Sequence, residues 1–197
     1  MRAKGPGPGC LPLFAAALGL LFAGPVAAEE GREGGRAPAF RDWIHELRAG
    51  VAAHDVGGLW SGYREERGAD WSAELTLLRS GLALPLGAVH PNLGIAINDR
   101  GYTSKVYAGA LWEIESRIGL FFATGVGAAV HDGNLDKRER HHKRLGSRVL
   151  FRIPIEIGYG FGAHHRLMLA FDHVSNAQLA TPNPGLDTVG MRYGYRF

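Results

Sequence analysis

Residues 167–197 read LMLAFDHVSNAQLATPNPGLDTVGMRYGYRF, and this stretch decides the fold. Side chains alternate across a strand with a period of two. On a strand beginning at Leu167, the residues Leu167, Leu169, Phe171, His173 and Ser175 therefore share one face. On the strand that follows, Val189, Met191, Tyr193, Tyr195 and Phe197 share one face, with Asp187 in register. The opposite faces carry Arg166, Asp172, Arg192 and Arg196. A histidine, a serine and a carboxylate thus sit at the loop-side ends of two apolar faces. Such faces point into the core of a water-soluble protein, or into lipid in a transmembrane barrel.

Upstream, the same alternation recurs between turn signals. Trp43, Leu47, Ala49 and Val51 alternate with Glu46 and Arg48, and Trp71, Ala73, Leu75 and Leu77 with Ser72, Glu74 and Thr76. The pattern blurs around residues 86–97. Val106, Ala108, Ala110, Trp112 and Ile114 then form a face, followed by Ile118, Leu120, Phe122 and Val126. Val149, Phe151, Ile153, Ile155, Ile157 and Tyr159 form another, against Arg148, Arg152 and Glu156. With the last two, the count is about eight strands, each of roughly the 9–11 residues that cross a bilayer.

The connections alternate in length. Short turns fall near 79–85, 115–117 and 160–165; longer loops fall near 57–70, 131–147 and 176–186, and a shorter one near 98–103. Outer-membrane barrels pair short periplasmic turns with longer external loops, and an even strand count leaves both termini in the periplasm. Trp43, Trp71, Tyr193 and Tyr195 lie near strand ends, as interfacial aromatics do. The predicted fold class is all-β, an eight-stranded antiparallel transmembrane β-barrel of the outer-membrane type, spanning residues 41–197.

The faces opposite the apolar ones carry Glu74, Glu113, Glu115, Arg148, Arg152, Glu156, Arg166, Asp172 and Arg192. Both signs are present, so they can pair within a narrow lumen. Eight strands enclose space that side chains fill, which disfavours a diffusion channel. The same charges argue against the alternative, a soluble secreted sandwich or lipocalin-like barrel, whose interior would be apolar.

The 197-residue chain opens with Arg2 and Lys4, an apolar run from about Leu11 to Ala23, and Pro25-Val26-Ala27-Ala28. That is the pattern of a secretory signal over 1–28, cut after Ala28. Residues 29–40 are Gly-rich and charged, a flexible stub. The only cysteine, Cys10, lies in the signal, so the mature chain carries no thiol. Full-length charge is +3; without the two basic residues of the signal it is +1, which gives nucleic acid no purchase.

His173 and Ser175 project from one strand face with Cα atoms about 7 Å apart. Neighbouring strands lie about 4.8 Å apart, so Asp187 can reach the imidazole across the loop at 176–186. Serine, a histidine base and an orienting carboxylate are the set needed for nucleophilic attack on an ester. On geometry alone they could equally be polar rim residues at headgroup level.

FDHVSNA at 171–177, followed by PNPGLD at 182–187, resembles the motif of PagL-type lipid A 3-O-deacylases of Gram-negative outer membranes. The resemblance extends to HPNLGIAIN at 90–98, TSKVYAGALWEIE at 103–115 and RIPIEIGYGF at 152–161. It implies an eight-strand barrel with its site on the outer wall, hydrolysing the ester that holds a 3-hydroxyacyl chain at position 3 of lipid A. On that resemblance Ser175 is the nucleophile and His173 the general base. Asp187 stands where the family usually has Glu; being one methylene shorter, it requires a closer backbone or makes a looser contact. Glu156 is the alternative acid, although its parity points it inward. Asn176 and Asn183 resemble the residues that help stabilise the oxyanion, and are also ordinary turn formers.

No cofactor or metal is implied; His131, His141 and His142 lack a convincing ligand spacing. The partners are lipid A or lipopolysaccharide as substrate and outer-membrane lipids as surroundings, with a homodimer left open. The basic segment 137–144 either touches lipid A phosphates and core sugars or is a solvated loop. Two other functions stay open: an outer-membrane phospholipase with the same chemistry, or a non-enzymatic barrel that anchors the membrane or binds surface ligands.

Overall fold

The computed structural model describes residues 43–78, 81–136 and 139–197. The signal at 1–28, the stub at 29–40, residues 41–42 of the predicted barrel, 79–80 of the first turn and 137–138 of the basic segment lie outside the described residues. Among the described residues nine strands follow in order: β1 Ile44–Ala53, β2 Ala69–Leu77, β3 Leu82–Leu84, β4 Gly87–Asn98, β5 Lys105–Glu115, β6 Leu120–His131, β7 Val149–Phe161, β8 His165–Ser175 and β9 Leu186–Arg196. Every pairing is antiparallel. The ring runs β2-β1-β9-β8-β7-β6-β5-β4, and β2 pairs back with β4 to close it. Closure removes the unpaired edges that hydrocarbon cannot satisfy.

Seven of the eight ring strands, which are 9 to 13 residues long, are those the alternation predicts, and β4 falls where that pattern blurs. β3 is additional. It is a three-residue hairpin arm on β4, Leu82 opposite Val89, and it occupies the turn expected at 79–85. The external loops are 54–68, 99–104, 132–148 and 176–185; at the other end the chain turns within a few residues.

The outer face is an apolar band. Leu47, Val51, Ile97, Val126, Phe151, Ile157, Leu169 and Met191 are all exposed. Trp43, Tyr159, Tyr193 and Tyr195 ring the turn end, and Trp71 stands exposed near the loop end.

Inside, a small apolar cluster that includes Ala96, Ala129, Leu145, Leu150, Val174 and Leu186 sits beside a larger cluster of charge. Arg48 binds Glu156 at 2.7 Å, Glu46 at 2.9 Å, Glu74 at 3.3 Å and Glu113 at 3.4 Å. Arg166 bridges Glu46 and Glu113 at 2.8 Å each, Arg192 reaches Glu156 at 2.7 Å, and Arg152 reaches Asp172 at 2.8 Å. Lys105 lies 3.6 Å from Asp172. Among the described residues five buried carboxylates thus meet five buried cations, and Arg196, which binds both Glu113 and Glu115, adds a sixth pair at the turn end, so the cluster is neutral. The guanidinium carbons of Arg152 and Arg166 also lie over the rings of Tyr107 and Phe121, 3.7 and 3.4 Å from their centroids. These side chains plug the barrel.

Two residues expected in this network sit at its rims, because Glu115 is the last residue of β5 and Arg148 lies just outside β7. Glu115 pairs with Arg196 at the turn end. Arg148 precedes β7, is exposed, and donates to the carbonyls of His131 and Gly133 at 2.8 and 3.2 Å.

Candidate functional site

The site lies on the outer wall where β8 ends and β9 begins. Register places His173 directly opposite Asp187, and Ser175 opposite Phe151 of β7. The His173 Nδ1–Asp187 Oδ1 distance is 2.6 Å. An Nδ1–H donating to the carboxylate leaves Nε2 with a free lone pair, the tautomer a base requires. The shorter aspartate reaches because the two residues are paired across the ladder, so of the two options the sequence left open, the close backbone holds. Glu156 faces the lumen, bound to Arg48 and Arg192.

Gly185 lets the chain turn into β9 with φ +66°, and a Cβ there would sit 2.9 Å from His173 Cε1. Glycine therefore both permits the turn and makes room for the ring.

Ser175 and His173 line a groove of about 340 Å³, walled by Trp60, Val126, Phe151 and Ile153, with Ala177 at its head. Its floor is thin. Pro154 has no N–H to give, and the β6–β7 ladder is interrupted between the pairs Thr124–Ile155 and Gly127–Arg152. Gly127, without a side chain, contributes bare backbone to the groove.

The two asparagines lie beside this site in different roles. Asn176 is buried and gives both amide hydrogens to main-chain carbonyls, Leu145 O at 3.0 Å and Pro182 O at 2.9 Å. Its backbone N–H donates to Asn183 Oδ1 at 3.0 Å. The chain then passes through two left-handed residues, Ala177 with φ 52° and Gln178 with φ 65°. Strain of this kind in non-glycine residues gathers at functional sites.

Sequence reasoning missed the first external loop, 54–68. Ser61 N–H donates to Asp187 Oδ2 at 2.6 Å, and Val56 N–H to Asp187 O at 2.8 Å. The carboxylate, on the lipid-facing side of its strand, is fully buried under this loop. Trp60 meets the rings of Phe171 and His173 edge-on, with centroids at 5.3 and 5.1 Å. No local pattern announces these contacts; the sequence shows only a long loop at 57–70.

Glu66 ties that loop to two others. Its carboxylate accepts from His54 Nε2 at 2.8 Å, Thr103 N at 3.2 Å, Thr103 Oγ1 at 3.1 Å and Lys143 N at 2.9 Å. Lys143 Nζ reaches Asp55 Oδ1 at 2.5 Å and Tyr63 O at 2.7 Å. Lys143 is therefore a buried tether, which corrects the expectation that the whole segment 137–144 presents its charge outward to phosphates or solvent.

The opposing carboxylates set a pH window for this tie. Burial pulls the His54 imidazole down, but Asp70 and Glu66 outweigh it and hold the ring above its ordinary 6.5. Burial pushes Glu66 up, but His54, the Lys143 N–H and Thr103 outweigh that and hold it below its ordinary 4.5. A raised histidine contributes stability that is full below 6.5 and fades as pH rises through its folded value. A lowered glutamate contributes stability that is full above 4.5 and fades as pH falls through its folded value. Amide exchange at Thr103 and Lys143, corrected for its intrinsic pH dependence, is expected to be slowest between these limits and to quicken on both sides. Flat protection from pH 4 to 9 would remove the charged pair as the tie.

A closed barrel of the outer-membrane type, with a histidine–carboxylate pair and a serine on its lipid-facing wall, is the class that the fold and site define. The family model for lipid A 3-O-deacylase (PagL) matches residues 97–196. The chain belongs to the lipid A 3-O-deacylase family. A lipid A deacylase PagL from Bordetella bronchiseptica is 35% identical over 78 residues, which cover 40% of this chain and 42% of that relative. The match thus spans less than half of the relative's length. The crystal structure of the outer membrane enzyme PagL superposes with a TM-score of 0.58 at 18% identity, covering 77% of this chain and 99% of that one. The N-terminal β-barrel domain of Pseudomonas aeruginosa OprF superposes with a TM-score of 0.54 at 11% identity, covering 78% of this chain and 97% of that one. At those identities the likeness is one of fold.

Proposed function

We propose that the protein is an outer-membrane esterase, exported by the signal at 1–28, that removes the ester-linked 3-hydroxyacyl chain at position 3 of lipid A. The observation that carries this is the His173–Asp187 contact of 2.6 Å beside Ser175, on an apolar groove open to the bilayer, in a chain of this family. An acyl chain can enter such a groove sideways from the leaflet, without leaving hydrocarbon. A barrel plugged by charge offers no route through its lumen, so the outer wall is where lipid chemistry has to occur.

In the reaction, Ser175 Oγ attacks the ester carbonyl while His173 Nε2 takes its proton. Asp187 holds the imidazole and stabilises the charged ring. The tetrahedral intermediate collapses, the bond to the sugar oxygen breaks, and the imidazolium protonates that oxygen. Water, deprotonated by the same ring, then releases the 3-hydroxy fatty acid from Ser175. Asn183, whose Oδ1 takes the Asn176 N–H, keeps its amide NH2 to donate to the oxyanion. Asn176 supports the same step by fixing the turn after the nucleophile.

Mass spectrometry of lipid A from cells with and without the protein tests this. Loss of one 3-hydroxyacyl group is expected. Unchanged lipid A, or lysophospholipid in its place, would overturn the proposal.

A further inference from the structure

We propose that the first external loop is a positioning element for both the acid and the base, through the backbone N–H of Ser61 and the ring of Trp60. The inference rests on the esterase proposal above and adds residues that lie outside the Ser175, His173 and Asp187 set.

Asp187 has two oxygens and only one histidine to orient. Left alone, its carboxylate turns about the Cβ–Cγ bond and the contact to Nδ1 is lost for part of the time. Ser61 N–H holds Oδ2 at 2.6 Å, which sets the carboxylate plane so that Oδ1 faces Nδ1 at 2.6 Å. The imidazole has a matching freedom about its own Cβ–Cγ bond. Trp60 meets that ring at 5.1 Å with planes 76° apart, an edge-to-face contact that a turned ring loses.

The loop can do this because it is itself held. Val56 N–H donates to Asp187 O at 2.8 Å, on the same residue that Ser61 grips. Gly58 N–H closes a turn onto Ser61 O at 3.2 Å. At Gly57, a Cβ would come within 2.9 Å of Arg64 N, so the turn is packed against backbone. Asp55 accepts from the Glu65 and Glu66 N–H groups at 2.7 and 2.9 Å, and Lys143 pins Asp55 from the third loop. A strand-end aspartate thus gains a fixed second donor from a residue 126 positions away.

The test measures nucleophile activation with diisopropyl fluorophosphate, a small probe that does not need the acyl groove. Ser175 Oγ bonds to phosphorus, fluoride leaves, and the proton passes to His173. Ser61→Pro removes the N–H; Ser61→Ala keeps it. Labelling of purified, heat-modifiable barrel is expected to slow by roughly tenfold to a hundredfold in Ser61→Pro, the scale of a misplaced catalytic group, and to be restored in Ser61→Ala. Trp60 is 54% exposed, so Trp60→Ala is expected to fold like the wild type and to slow labelling several-fold. Wild-type rates in both Ser61→Pro and Trp60→Ala would overturn the positioning role while leaving the esterase intact. If Ser61→Pro fails to fold, a wild-type rate in Trp60→Ala overturns it alone. If the wild-type protein itself shows no labelling at Ser175, the esterase proposal fails and this one falls with it.

Discussion

Ser175→Ala is expected to give a barrel that folds, inserts and leaves lipid A untouched. The substitution removes one oxygen from a half-buried strand-end residue and disturbs no part of the charge cluster that fills the lumen. Heat-modifiable mobility and the denaturant midpoint are therefore expected to match the wild type. The rate is not. Without the hydroxyl there is no acyl-enzyme, and what remains is binding plus whatever donors face the oxyanion. Removal of the nucleophile from a serine–histidine–acid set costs on the order of 10⁴-fold or more. Mass spectrometry of lipid A from cells carrying the variant would show the full complement of 3-hydroxyacyl groups. A variant that still deacylates at the wild-type rate would remove Ser175 from the chemistry.

The parts of this molecule that could be read from the sequence are those set by a period of two. Asp187 to Phe197 alternate strictly, and although Met168, Ala170 and Val174 make the inner face of Leu167 to Ser175 apolar as well, the pairing of the two strands puts His173 on the same side as Asp187. β3 could not be read that way. Leu82-Ala83-Leu84 is three residues with no polar partner to alternate with, and it forms only because the chain folds back on Val89. Charged residues at strand ends were ambiguous for a related reason. Parity assigns Glu115 and Arg148 to the lumen, but parity holds only while the strand stays in the ring, and both lie at its limit. The loop over the site was out of reach altogether. Ser61 meets Asp187 through a backbone N–H, which every residue but proline has, so the sequence carries no mark of it. Lys143 was misplaced because a run of basic residues gives no sign that one of them turns inward to Asp55.

Asp187→Asn and Glu156→Gln, each replacing a carboxylate by its amide, are expected to fail in opposite ways. At position 187 the amide cannot serve both existing donors. If its oxygen stays on Ser61 N–H, its NH2 faces His173 Nδ1 and the ring moves its own proton to Nε2. The imidazole can then no longer take the Ser175 proton, and the rate is expected to fall on the order of 10³- to 10⁴-fold, the scale of a wrong tautomer. Stability is expected to change little by comparison, since the loop keeps its Lys143 and Glu66 ties. At position 156 the carboxylate accepts from Arg48 and Arg192 at 2.7 Å each and is fully buried. Its loss leaves the neutral cluster with one uncompensated cation, which costs about 3–5 kcal/mol when it cannot reach water. Glu156→Gln is therefore expected to lower the denaturant midpoint while keeping wild-type turnover per folded molecule. Measuring both quantities on both variants separates an orienting acid from a packing one. Turnover lost in Glu156→Gln and kept in Asp187→Asn would move the acid to the inner face of the barrel, where no imidazole of the described site could meet it.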